Sequence, residues 1–281
     1  MKQLLFLTIS LAIWQGVAAQ EGLEGIFVET YYITDKNDAR DPMHTGEIPA
    51  GSVTYRIYVD LEPGYRVQAA FGTKEAPLII KSDAKFYNHV ESGQAKANIV
   101  PLRSYKKNTL LLDSWLSIGA ASQVHMGIPK KYDTPGVDSV MHLNPTYFQN
   151  KSKKFIPIWE RDGMAYVDSL PFPQFFKTDS AEYNLMSATK GNEVRVSNGA
   201  WACFGKGAIG VDSLTTNSVL IAQLTTKGKL EYKLNLMIGT PDGRSIKYTY
   251  MPGIDQTTYH PALEGSSHGK KKKKKKKSQK A

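Results

Sequence analysis

The chain has 281 residues, 41% hydrophobic content, one cysteine and a formal charge of +10. A single thiol excludes an intramolecular disulfide framework, and a chain of this length buries a core without one. Lys2, the run Lys270 to Lys277 and Lys280 account for the whole net charge, so the body between them is neutral and lacks the composition of a nucleic-acid binder.

The first segment, MKQLLFLTISLAIWQGVAAQ, opens with Lys2, runs apolar from Leu4 to Ile13 and reaches the small residues Val17, Ala18 and Ala19. That is the layout of a signal peptide, residues 1 to 19, cut after Ala19. A membrane anchor needs roughly 20 apolar residues, and Gln15 and Gly16 interrupt this run. No cysteine stands near the cut, which removes the thiol that a lipid anchor requires. The expected location is therefore the periplasm, the outer-membrane surface or the cell exterior.

Gly25 to Thr34 alternates well enough for a first strand, and a polar loop follows it. Ala50 to Gly72 reads as a β-hairpin: Val53, Tyr55, Ile57, Val59 and Leu61 define an inward face, Glu62-Pro63-Gly64 a turn, and Tyr65, Val67, Ala69 and Phe71 a second strand. Leu78 to Lys81 and Lys85 to Asn88 are short strands, with one edge strand at Ala97 to Val100 inside a long loop. Thr109 to Ile118 has the length and content of a central strand. Ala120 to Asn150 holds too many Gly and Pro residues for long regular elements.

Met164 to Leu170 is a further strand, and Ser180 to Met186 a short helical turn. Glu193 to Val196 and Ala200 to Phe204 read as a pair joined by Ser197-Asn198-Gly199. Ser218 to Thr225 and Lys229 to Ile238 are strands joined by Thr226-Lys227-Gly228, with Leu230, Tyr232, Leu234, Leu236 and Ile238 on one face. Arg244 to Tyr250 closes another hairpin. No stretch has apolar residues at helical spacing, so the expected fold is all-β: a β-sandwich of two packed, mainly antiparallel sheets with long loops. It spans residues 20 to 260, as one unit or as two sub-domains split near 144 to 154, with a disordered lysine-rich tail from 261 to 281.

The segments TYRIYVDL, QAAFG with PLIIKSDAKFYN, LLLDSWLSIGAA, NGAWACF and SVLIAQLTTKGKL stand in this order between about residues 50 and 240. As a set they resemble a domain that recurs in secreted and surface proteins of marine bacteria and Bacteroidota. The best landmarks are Tyr55-Arg56, Phe71-Gly72, Asp113-Ser114-Trp115 with Ile118-Gly119, and Ala222-Gln223-Leu224-Thr225-Thr226. The resemblance implies an extracellular β module with no established activity.

The residues that carry chemistry are sparse. No G-x-S-x-G turn offers a serine nucleophile, and the six histidines stand at no zinc-ligand spacing, so no catalytic residue is assigned. Asp35, Asn37, Asp38 and Asp41 place four oxygen-bearing side chains in one loop, the raw material of a calcium site. Arg40 and Gly46 replace the turn glycine and closing glutamate of an EF-hand, which favours a solvated loop; calcium is the one cofactor left open. Trp159, Glu160 and Asp162 set an aromatic ring beside two carboxylates, a combination that serves a carbohydrate-binding or carbohydrate-active site. Trp115, Trp201 and Cys203 read as core.

Lys270, Lys271, Lys272, Lys273, Lys274, Lys275, Lys276 and Lys277 form a tether for an anionic surface, weakened by salt. No aromatic residue interleaves them, which argues against nucleic acid. The expected partners are an envelope protein or an anionic glycan or lipopolysaccharide. The expected function is a non-catalytic binding or structural subunit, with a lectin-like or carbohydrate-active protein as the alternative.

Overall fold

The computed structural model describes residues 21–36, 48–101, 108–130, 163–179, 185, 191–211, 214 and 216–267. The strands are β1 (Leu23–Ile33), β2 (Val53–Leu61), β3 (Arg66–Gly72), β4 (Leu78–Ser82), β5 (Trp115–Leu116), β6 (His125–Gly127), β7 (Met164–Tyr166) and β8 (Gln174–Lys177). They continue as β9 (Glu193–Val196), β10 (Gly199–Cys203), β11 (Asn217–Thr226), β12 (Leu230–Lys233), β13 (Asn235–Gly239), β14 (Ser245–Thr249), β15 (Thr258–Tyr259) and β16 (Glu264–Ser266). The chain is all-β, with antiparallel sheets packed as a sandwich and, among the described strands, one parallel pair, β14 with β15.

One layer is the sheet β1-β2-β11-β5. The other bends. Its two parts have the orders β13-β3-β10 and β12-β4-β9, and each pair of neighbours in sequence, β3 with β4, β9 with β10 and β12 with β13, crosses the same corner. β14, β15 and β8 extend the first part, and β16 extends the second. Asn235 ties the corner: its Nδ2 donates to Phe71 O at 3.0 Å and Ala76 O at 2.8 Å, while its Oδ1 accepts from Thr249. A Cβ on Gly72 would overlap the Val196 carbonyl, so backbones meet there at a distance that only glycine permits.

Between the layers lies the main core. Tyr55, Ile57, Val59 and Leu61 of β2 and Val219, Ile221 and Leu224 of β11 face Leu78, Ile80, Trp201, Leu230, Leu234, Leu236 and Ile238. Burial of this apolar surface is the main drive for the fold. A second cluster packs on the opposite face of the β2-β11 sheet, where Tyr31, Tyr58 and Leu220 meet Leu111, Leu112, Trp115, Ala121 and Met164. This sheet is therefore covered on both sides, and all ten residues of β11 are buried. Strands from before and after residues 144 to 154 share each layer.

Several pairings differ from the sequence reading. β2 and β3 flank the expected turn, where Gly64 has φ +86°, yet they belong to opposite layers. The turn is a crossover, because β2 finds two better-matched long neighbours in β1 and β11. The alternate face of β2 is not solvated: Thr54, Arg56 and Tyr58 have no exposed surface. β9 and β10 do not pair, and Lys229 to Ile238 splits at Leu234, since these strands turn the corner. Thr109 to Ile118 supplies a 3-10 turn, Asn108–Leu112, before the short β5, and Ala97–Ile99 is also a 3-10 turn. The β13-β14 hairpin forms as expected.

Candidate functional site

The second face of β2 carries a cluster of buried polar side chains. Alternation places Arg56 and Tyr58 there, beside Glu29 and Tyr31 of β1 and Gln223 of β11. Arg56 Nε donates to Gln223 Oε1 at 2.9 Å and Nη1 donates to Gly163 O at 2.7 Å. The guanidinium carbon lies 3.5 Å from the centroid of the Tyr31 ring, a cation–π contact, and Lys130 Nζ reaches the same ring at 5.6 Å. Burial by itself lowers the affinity of Arg56 for its proton, but Tyr31, Tyr58 and the Glu29 carboxylate more than offset it, and the guanidinium is held above its ordinary range. The same burial, with Glu29, pushes the Tyr58 hydroxyl well up.

These bonds lead outward to main chain. Gln223 Nε2 donates to Leu111 O and Asp113 O, both at 2.8 Å. The Asp113 carboxylate accepts the amide N–H groups of His89 at 2.8 Å and Gln94 at 2.7 Å. Burial pushes Asp113 up to about 7 against those donors. Glu29 Oε1 accepts from the Lys130 N–H at 2.7 Å. The arrangement holds loops in place: cation, amide and carboxylate each satisfy backbone groups that enter from residues 89–94, 111–113, 130 and 163.

The described histidines are also tied locally. His125 Nδ1 is 2.7 Å from the Ser122 hydroxyl, and the Nδ1 atoms of His89 and His260 accept from the backbone of Ser92 and Ala262. Trp115 and Trp201 are core residues, and Cys203 is a buried free thiol that donates to Val67 O at 3.2 Å. Its burial pushes the thiol up to about 11.

Of the calcium set, Asp35 is described and half-buried, whereas Asn37, Asp38 and Asp41 lie outside the described residues. Trp159, Glu160 and Asp162 also lie outside them, as do Lys270 to Lys277. Among the described residues, no three His, Cys, Asp or Glu side chains come together as a metal site. The sequence reading missed Arg56 and Gln223, since a polar residue on the second face of a strand looks the same whether water or loops cover it. The signal available was the apolar content of LLLDSWLSIGAA, which needs a face to cover.

A different feature opens between the layers. A cavity of about 450 Å³ lies where the edge strand β1 faces the edge strand β16, lined by Ile26, Val28, Tyr232, Pro261, Ala262 and Glu264 to Ser267. Phe27 stacks on Tyr58 across the sheet, so Ile26 and Val28 point to the sandwich side. They pack against the main core and are only partly buried. Glu264 bridges to Lys233 at 3.4 Å on the lip.

No family model, curated protein or solved structure matches this chain.

Proposed function

We infer that the chain is an exported, envelope- or surface-associated subunit that binds or supports a partner without catalysing a reaction, and that its lysine run tethers it to an anionic component. The observation that carries this reading is the use made of Arg56, Gln223 and Asp113, each of which hydrogen-bonds loop backbone. A scaffold that fixes loops on a doubly covered sheet suits recognition, because loop positions are then set by the core.

The tether follows from charge alone: eight adjacent ammonium groups attract phosphates or acidic glycans, and added salt screens them. Affinity isolation of the tagged protein from intact envelopes, repeated across a salt series and with a chain truncated after Gly269, tests the reading. Association should fall with salt and with truncation. Association indifferent to both would remove the tether, and absence of any envelope component would remove the subunit role.

A further inference from the structure

The two parts of the bent layer turn differently charged faces outward. In the part built from β16, β12, β4 and β9, Lys81, Lys233 and Arg195 lie 3.1, 3.4 and 2.9 Å from the carboxylates of Glu231, Glu264 and Glu193, so every strand charge there is paired. The strands of the other part, β15, β14, β13, β3, β10 and β8, contain no Asp or Glu. Their cations are Arg66, Lys177 and Lys247, and none of the three is in an ion pair among the described residues.

Trp201, Cys203, Leu236, Ile238 and Tyr248 enter the main core and Phe176 packs against it, so Ala202, Met237, Lys247, Phe175 and Lys177 turn the other way. Register sets Lys247, Met237, Ala69, Ala202 and Phe175 in one row across five strands. Phe204 follows β10 on the Ala202 side, and its ring centroid lies 5.7 Å from that of Phe175. The two residues are 57% and 43% exposed, although water disfavours both rings. Exposed Lys206 stands between Gly205 and Gly207, whose positive φ values fold the chain sharply after Phe204. Asp179, the acid next to Lys177 in sequence, accepts from the Ser197 and Asn198 N–H groups at 3.1 and 2.9 Å. The surface is therefore an apolar row that ends in two phenylalanines, with Lys177, Lys206 and Lys247 around it.

We propose that this surface docks on an anionic phospholipid bilayer, with Phe175 and Phe204 entering the headgroup boundary while Lys177, Lys206 and Lys247 meet lipid phosphates. Apolar burial and attraction to anionic lipid add at such a boundary. Polar side chains of the surface bond one another: Ser245 Oγ donates to Gln68 Oε1 and Thr249 Oγ1 to Asn235 Oδ1, each at 2.7 Å. A bilayer suits that, since it asks for no hydrogen bond in a fixed direction. A second copy docked face to face would bring cations together with no strand carboxylate between them. This inference rests on the envelope-association reading, names lipid as the component met, and uses no residue of the lysine run.

The test is sedimentation of the full chain with vesicles of equal parts phosphatidylcholine and phosphatidylglycerol, against vesicles of phosphatidylcholine alone. Because the lysine run also attracts anionic vesicles, the deciding readout is dependence on the two rings. Phe175→Ser and Phe204→Ser should each weaken partitioning by about tenfold, as apolar surface stays in water. Lys177→Gln and Lys247→Gln should each weaken it by about fivefold at low salt and by less as salt rises. Both rings are exposed, so thermal unfolding of the serine variants should match the parent. Phe204→Trp keeps an aromatic ring in place, and its emission, taken as the difference from the parent, should shift to shorter wavelength on adding anionic vesicles.

Serine variants that bind anionic vesicles as tightly as the parent overturn the inference and leave membrane attraction to the lysine run alone. An unshifted emission at saturating vesicles does the same. Concentration-dependent dimerisation abolished by Phe204→Ser would make a second copy the occupant, and capture of an envelope protein lost in that variant, without vesicle binding, would make it a protein site. Either result overturns lipid docking. Envelope association that survives both serine substitutions but falls with truncation after Gly269 leaves the subunit reading standing while this inference fails. Ring-dependent vesicle binding with no envelope capture would remove the subunit reading alone.

Discussion

A guanidinium with no exposed surface is stable only where its protons find fixed acceptors. Arg56 finds two such acceptors, in Gln223 and Gly163, with Tyr31 beneath it. Arg56→Ala should cost about 3–5 kcal/mol, the range for breaking a buried charged network, in urea denaturation. Gln223→Ala should cost about 3 kcal/mol, because it strands the Leu111 and Asp113 carbonyls and takes the acceptor from the buried Arg56 Nε.

Asp113 gives a pH dependence of defined sign. Unfolded, its carboxyl titrates near 4; folded, burial holds it at about 7, so the native state binds more protons between these values. Its contribution therefore falls as pH rises from about 4 to about 7, by on the order of 4 kcal/mol, and is flat above. Asp113→Asn should remove that slope, read as the difference between the two proteins' urea stabilities from pH 4 to 8. An unchanged difference across the window would show that the carboxyl is ionised throughout.

At the scale of elements, the corner decides the architecture. Three pairs of successive strands cross it together, which is possible because Gly72 lets the Val196 carbonyl approach and Asn235 satisfies two carbonyls that leave the ladder. Gly72→Ala places a methyl group against backbone that cannot rotate away. It should destabilise by about 3 kcal/mol or more, seen as a lowered Tm. Gly51→Ala is the useful contrast, since a Cβ there meets nothing and the cost is confined to its φ of +80°.

The described residues form a bent layer, a second layer and a covering of loops, and stability should be graded accordingly. Amides of β2 and β11, at the centre of the doubly covered sheet, should exchange with solvent only on global unfolding. Those of β8 and β15, short edge strands with exposed residues, should exchange by local opening. Hydrogen exchange with mass or NMR readout measures the gradient, and equal protection across these strands would contradict it.

Sequence alone determined the class of fold and many of the strands, because period-two alternation records which residues leave water together. β1, β2, β4, β11 and the β13-β14 hairpin were legible for that reason. It also determined that Trp115, Trp201 and Cys203 are interior. What tertiary structure decided was pairing and cover. A turn looks alike whether its strands pair or part, so Glu62-Pro63-Gly64 could not announce a crossover between layers. A polar strand face looks alike under water or under loops, so the Arg56 centre was invisible until residues more than a hundred positions away closed over it. Alternation is a local property of the chain; the identity of the neighbour that satisfies it is set by the packing of the whole.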